Sequence, residues 1–347
     1  MQIIPFFKFV TIAFSLNFLL FFIFKYFKLY DYPSPDKPHK KKTLISGGLG
    51  VFIFLNYICY SSFFEDSRIV LGFYLSFFFF IIGLIDDKFN IKPLTKLFLT
   101  VLALLIIFNN NEILKINFIG DYFFIGKIVT GKFAIIFSIL GFLFLINSYN
   151  YSDGIDSNCI LLFLNSTILL YIFYISVGHQ TNSFDIFLKN FTIFSAVTSL
   201  AFCTFNLNLL GNNFKIFLGD NGSLLLGYIN ATTLVFLSEN KILNPNLLIW
   251  ANALIVYDFI SVTIIRYSED KNIFTKDTNH IHLIILKRTG NIFTTLLIIN
   301  IINLLLGLSG LLIFKIYGQL SSLIFFIFFF YIYFFFHKKL IMKNNSN

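Results

Sequence analysis

Charge is scarce in this chain. Only 12% of its 347 residues are charged, against 57% hydrophobic and 20% aromatic, whereas an ordinary soluble domain is about one-quarter charged. So little polar material cannot surround a water-soluble core, which excludes a soluble globular protein. Cysteine is scarce too. Cys59, Cys159 and Cys203 sit in or beside apolar runs without metal-ligand spacing. They imply neither a disulfide framework nor a thiolate metal site, and read as small packing residues. A small-residue cleavage site is missing after the apolar run from Ile3 to Phe24. That run is also too long for a signal-peptide core, so it reads as the first membrane span. No linker, repeat or soluble domain interrupts the pattern, and residues 1–347 read as a single polytopic membrane domain.

What the sequence has in abundance is apolar runs near the ~20 residues a helix needs to cross a hydrocarbon core. They fall near 3–27, 44–64, 69–85, 94–108, 132–149, 159–177, 191–206, 222–238, 246–267, 291–314 and 319–336. The expected fold is therefore an all-α integral membrane protein with about 11 transmembrane helices. The net charge of +9 points to nucleic acid or a membrane surface as partner. The basic residues lie mostly in short loops, which favours the membrane and excludes a nucleic-acid partner. The first loop, Lys28 to Thr43, is the most basic, and the positive-inside rule puts it in the cytoplasm. With an odd number of spans the N-terminus is then outside and the C-terminus cytoplasmic. Parity assigns loops 28–43, 86–96, 147–158, 206–221 and 267–291 to the cytoplasmic face. Of the 26 Lys and Arg residues, eighteen fall on this inner set and seven outside, with Lys8 inside the first span. The outer stretch 109–131 contains a small hairpin near 116–128, around Gly120-Asp121.

The inner loops also hold the unusual chemistry. A carboxylate near hydrocarbon costs about 2.5–3.5 kcal/mol at a helix centre on insertion scales, so acidic residues at span ends call for a reason. Asp86-Asp87 follows an apolar run and precedes Lys88, Lys92 and Lys96. The pair reads either as a solvated helix end or as a site for a divalent cation or phosphate. Asn147, Asn150, Asp153 and Asp156 recur at every third residue, which keeps their oxygens on one face of a helix or tighter turn. Amide and carboxylate oxygens suit Mg²⁺, although Asn-Asp-Gly clusters are also ordinary loop chemistry. Gly219-Asp220-Asn221-Gly222 opens a span, where free backbone N–H groups favour phosphate and an Asp is also an ordinary cap. His280-Ile281-His282 follows Asp277 and precedes Lys287-Arg288. Without a cysteine or third histidine, this pair suits hydrogen bonding to phosphate or sugar better than zinc.

In this order the motifs resemble those of glycosyltransferase family 4, the polyprenyl-phosphate N-acetylhexosamine-1-phosphate transferases, from Asp31 to about Gly290. Asp31-Tyr-Pro33, Lys37, His39 and Gly47-Gly48 look like that family's first inner loop. Asp86-Asp87 with Pro93 and Lys96 looks like its Asp-Asp motif, and Asn147 to Asp156 like its Asn-x-x-Asn-x-x-Asp-Gly-x-Asp motif. Phe217 to Ser223 looks like Phe-x-Gly-Asp-x-Gly-Ser. Asp258, Arg266 and His280-Ile-His282 look like the Asp, Arg and His sequence around its last large inner loop. Leu283, Asp36 and Ser157 depart from the pattern, Ser157 standing where a glycine is common. The His-x-His form is closer to the undecaprenyl-phosphate GlcNAc-1-phosphate transferases than to the phospho-MurNAc-pentapeptide translocase.

The resemblance implies transfer of an N-acetylhexosamine 1-phosphate from a UDP-sugar to a polyprenyl phosphate. UMP is released, and the step opens cell-surface polysaccharide synthesis at the inner, cytoplasmic membrane. It implies Mg²⁺, with Mn²⁺ as a substitute, held by Asp220 and Asn150. Asp86 is expected to deprotonate or orient the lipid phosphate, while Asp87, Asp153 and Asp156 hold nucleotide, metal or each other. Lys96, Asn147, Gly219, Arg266, His280, His282, Lys37 and His39 are expected to bind substrate. The implied partners are the UDP-sugar, the polyprenyl lipid and the membrane, with a homodimer left open. Two other classes fit the same composition. One is a lipid or solute transporter, which would place its polar residues near the midplane between repeats. The other is a catalytically inactive relative acting as a scaffold.

Overall fold

The computed structural model describes residues 3–32, 42–60, 66–110, 114–122, 126–272 and 278–345. Lys37 and His39 lie outside these residues. The chain is helical almost throughout. Helix α1 (Ile3–Tyr26) is followed by strands β1 (Tyr30–Asp31) and β2 (Thr43–Leu44), then by α2 (Gly47–Tyr60). Next come α3 (Ser67–Leu75), α4 (Phe77–Phe89) and α5 (Pro93–Asn110), then strands β3 (Phe118–Tyr122) and β4 (Gly126–Val129). The rest is α6 (Ala134–Ser152), α7 (Asn158–Val177), α8 (Asn182–Asn206), α9 (Gly219–Glu239), α10 (Pro245–Leu248), α11 (Ala253–Ser268), α12 (Ile281–Thr289) and α13 (Ile292–Asn345).

Each apolar stretch read from the sequence falls largely on helix among the described residues, the 69–85 stretch on both α3 and α4, and seven helical stretches are long and apolar enough to cross a bilayer. Helices α2 and α5 are apolar but shorter. The last of the seven, Ile292–Lys343, holds two of the expected spans. Its chain turns at Gly318, where φ is +80°, a conformation that glycine adopts without a Cβ clash. Both arms pass Trp250: Gly310 before the turn lies against its ring, and Phe326 and Phe329 after the turn meet it edge-on. The arms are therefore antiparallel.

Helix α9 is the axis of the bundle, buried along nearly its whole length between α4 and α6. Polar side chains in this interior satisfy one another, as lipid would not. Tyr149 donates to Asn252 at 2.9 Å, Asn252 to Asn230 at 2.8 Å, and Asn230 to Ser166 at 2.9 Å. The periphery is the reverse: Phe328 and Phe335 of α13 and Leu19 of α1 are exposed, an apolar belt suited to acyl chains.

The expected hairpin is present, with β3 and β4 antiparallel and Asp121 opposite Lys127. Glu239, at the end of α9, accepts from the backbone N–H groups of Asn117 and Phe118 and ties the hairpin to that end of the bundle. The acidic motifs lie at the other end. Helix α4 ends there, α5 begins there, α6 ends there and α9 begins there.

Candidate active site

The bundle end opposite the hairpin gathers residues that are far apart in sequence. Lys96, on the first turn of α5, stands at the focus. Its ammonium donates to Asp86 on α4 at 2.9 Å, to Asp220 on α9 at 2.5 Å and to Asn150 on α6 at 3.4 Å. All three oxygen donors therefore already converge on one cation. Asn150 is oriented from behind, since its Nδ2 donates to Ser223 at 2.9 Å.

Asp87 has a different employment from its neighbour. One oxygen accepts the backbone N–H of Asp220 at 2.9 Å, and the other accepts from the Asn221 backbone at 3.1 Å and its side chain at 2.5 Å. A carboxylate from α4 thus caps the N-terminus of α9, satisfying donors that the helix leaves open. The sequence leads us to expect Asp87, with Asp153 and Asp156, to hold nucleotide, metal or each other. On a helix, adjacent residues point about 100° apart, so only one of them faces Lys96. Gly219 makes this approach feasible: its φ is +76°, and a Cβ there would overlap Ile45 and the Asp87 carboxylate.

Asp156 pairs with Lys215 at 2.5 Å. The Asp153 backbone N–H caps α6 at the Asn150 carbonyl, 3.3 Å away, and its carboxylate has no hydrogen-bond partner among the described residues. Burial, reinforced by the charges of Asp220, Asp87 and Asp156, pushes its carboxyl well above the usual range. Next to it, Ser157 adopts φ +62° and donates to Asn206 at 2.8 Å. This left-handed position explains why a glycine suits it. Asn147 points elsewhere, donating to the Leu143 carbonyl of its own helix at 2.7 Å.

A second cluster abuts the first. His280 Nδ1 lies 2.7 Å from Asp258, and its ring stacks between Tyr151 and His282. His282 Nε2 lies against Gly154, within the acidic motif of α6. Burial, with His280 alongside, holds the His282 imidazole down to about 3, so it is neutral. The Nε2 atoms of both rings are buried without a hydrogen-bond partner among the described residues. Arg266 was expected to meet phosphate, but its guanidinium holds its own loop, donating to the Asn272 carbonyl at 2.6 and 3.0 Å.

The donor set is made of oxygens, which suits a hard cation such as Mg²⁺. Among the described residues no three acidic, histidine or cysteine side chains form a ready-made metal cage.

Sequence reasoning missed Ser223, Lys215, Tyr333 and His337. The first two lie inside or beside motifs already singled out. His337 had one signal, an ionisable residue in a phenylalanine-rich span.

A model of glycosyl transferase family 4 matches residues 69–238, from α3 to the end of α9. The chain is 26% identical over 272 residues to the undecaprenyl-phosphate alpha-N-acetylglucosaminyl 1-phosphate transferase of Yersinia pestis, covering 75% of this chain and 70% of that protein. It is 28% identical over 267 residues to the protein of the same name from Pasteurella multocida, covering 75% and 71%. To that of Thermotoga maritima it is 25% identical over 301 residues, covering 86% and 87%.

Proposed function

Because a model of glycosyl transferase family 4 matches residues 69–238, we propose that this chain is a member of that family and transfers an N-acetylhexosamine 1-phosphate from a UDP-sugar to a polyprenyl phosphate, releasing UMP. The observation that carries this reading is the convergence of Asp86, Asp220 and Asn150 on Lys96 at one end of an apolar bundle. A reaction between a membrane lipid phosphate and a soluble sugar nucleotide belongs at such an end. The lysine and arginine bias supports a cytoplasmic orientation of that end, the side from which a soluble nucleotide sugar would reach it.

Both substrates are anionic, so the site has to offset their mutual repulsion. Lys96 supplies one positive charge from the protein. Mg²⁺, held by Asp220 and Asn150 with Asp153 beside them, would neutralise charge developing on the transferred and leaving phosphates. Asp86 remains free of helix capping and is the group we assign to orienting or deprotonating the lipid phosphate. Asp87 keeps the start of α9, and hence Asp220, in place. His280 and His282, whose Nε2 atoms lack partners among the described residues, are assigned to the sugar nucleotide.

Reconstituting the protein with undecaprenyl phosphate, Mg²⁺ and a series of labelled UDP-N-acetylhexosamines tests the proposal. One donor should give label in an extractable pyrophosphoryl lipid together with stoichiometric UMP. If no donor labels the lipid while the protein stays folded, the enzymatic reading fails.

A further inference from the structure

The last arm of α13 reaches the histidine cluster from outside the family's motifs. Asp258, whose Oδ2 holds His280, accepts at Oδ1 from the Ile281 backbone at 2.9 Å and from the Tyr333 hydroxyl at 2.9 Å. His337 lies one helical turn beyond Tyr333. Its Nε2 is 2.7 Å from the carbonyl of Asn279, the residue before His280, and 3.8 Å from Asp258 Oδ1. A carbonyl only accepts, so His337 Nε2 carries the proton, and its Nδ1 meets the Ser261 hydroxyl at 2.8 Å. Further along, Ile341 packs on Ile265 and Ile284, seating the end of α13 on both α11 and α12.

We propose that Tyr333 and His337 are positioning residues for His280, an inference that rests on the assignment of His280 to the sugar nucleotide. Asp258 is acceptor-only when ionised, so His280 Nδ1 carries a proton toward it and the ring turns Nε2 away from the carboxylate. Tyr333 fixes the carboxylate, and His337 fixes the backbone from which His280 hangs. The two act on different atoms and together leave the ring one direction, stacked against Tyr151. Nε2 is buried, at 3% residue exposure, and has no partner among the described residues, so its natural partner is a hydrogen-bonding group on a bound molecule, such as a sugar hydroxyl. The arrangement has the logic of an aspartate–histidine pair in which the acid orients the ring without reacting.

The test uses the full chain in membranes with Mg²⁺, with donor and acceptor concentrations varied separately. His337→Phe should lower kcat/KM for the UDP-sugar by about 10–100-fold, the usual effect of removing a group that orients a binding histidine. The KM for polyprenyl phosphate should stay unchanged. His337→Gln, whose amide also donates to a carbonyl, should recover most of the loss. Tyr333→Phe removes only a hydroxyl and keeps the inference testable where His337→Phe does not fold. In a His280→Ala background neither substitution should cost anything further. Equal losses with and without His280 would overturn positioning while leaving the donor-site reading intact. A His280→Ala enzyme with normal donor kinetics would overturn both.

Discussion

Asp87 on α4 accepts the backbone N–H of Asp220 on α9 at 2.9 Å, so the capping of one helix by another sets where the second carboxylate points. Asp86, the preceding residue, faces Lys96 instead. The two aspartates should therefore fail differently. Asp87→Ala strands the N–H groups of Asp220 and Asn221, each costing about 1–3 kcal/mol when buried without a partner. It should lower the melting temperature of the detergent-solubilised protein clearly. Asp86→Ala should leave melting nearly unchanged and reduce turnover by orders of magnitude. Thermal unfolding and turnover measured on both variants check the division, and the opposite pattern would reverse the assignments.

Asp220→Asn keeps the size and the Lys96 contact but removes a formal charge from the proposed cation site. Turnover should fall by orders of magnitude, and half-saturating Mg²⁺ should rise. A Mg²⁺ titration of the variant is the measurement. Near-normal activity at low Mg²⁺ would assign the cation to other residues.

Much of this was legible from the sequence because the signals are local. Apolar runs gave the helices, whereas the regular spacing of Asn147, Asn150, Asp153 and Asp156 does not survive as one face: Asn147 bonds its own helix, Asn150 meets Lys96 and Asp156 pairs with Lys215. Helix α12 was not foreseen, since nine residues of mixed polarity look like loop. Helix α8 begins at Asn182 rather than near 191, because Asp185 and Lys189 mask its first turns. The use of Asp87 as a remote cap was illegible, because its partner lies 133 residues away. Tyr333 and His337 meet Asp258 and Asn279 only after the chain reverses at Gly318, which no short-range pattern reports.

Sidedness is open to direct test. Cysteines introduced singly at Asn182 and Thr278 fall on opposite ends of the bundle, and both native residues are exposed. A membrane-impermeant maleimide added to intact cells should label Asn182→Cys and not Thr278→Cys. External labelling of the second would invert the topology.

If the proposed cation lies beside Asp153, this residue should make its binding depend on pH. Its folded carboxyl titrates above the unfolded value, so the stability it contributes is present at low pH and lost as pH rises through the folded value. A nearby Mg²⁺ ion would offset that loss by stabilising the ionised form. The rise in melting temperature on adding Mg²⁺ should therefore be larger at high pH, above that folded value, than at low pH, below it. Asp153→Asn should remove most of the difference. Equal stabilisation at both pH values would detach Asp153 from the cation.

Lys96 gives the sharpest test of the electrostatics. Its ammonium meets the Asp86 and Asp220 carboxylates and lies near the Asn150 amide oxygen, the same oxygens proposed to approach Mg²⁺. Two cations drawn to one set of oxygens repel each other, so the lysine weakens the ion's hold even as it helps to bind phosphate. Lys96→Met keeps a long side chain without the charge. The prediction is a split: half-saturating Mg²⁺ falls at least threefold, because a competing charge has gone, while turnover drops by orders of magnitude, because the phosphates have lost a counter-charge. Activity at graded Mg²⁺, with direct Mn²⁺ binding as a readout independent of turnover, separates the two effects. If the variant instead needs more Mg²⁺ and binds Mn²⁺ more weakly, Lys96 supports the ion's ligands rather than competing for them, and the cation lies elsewhere in the cluster.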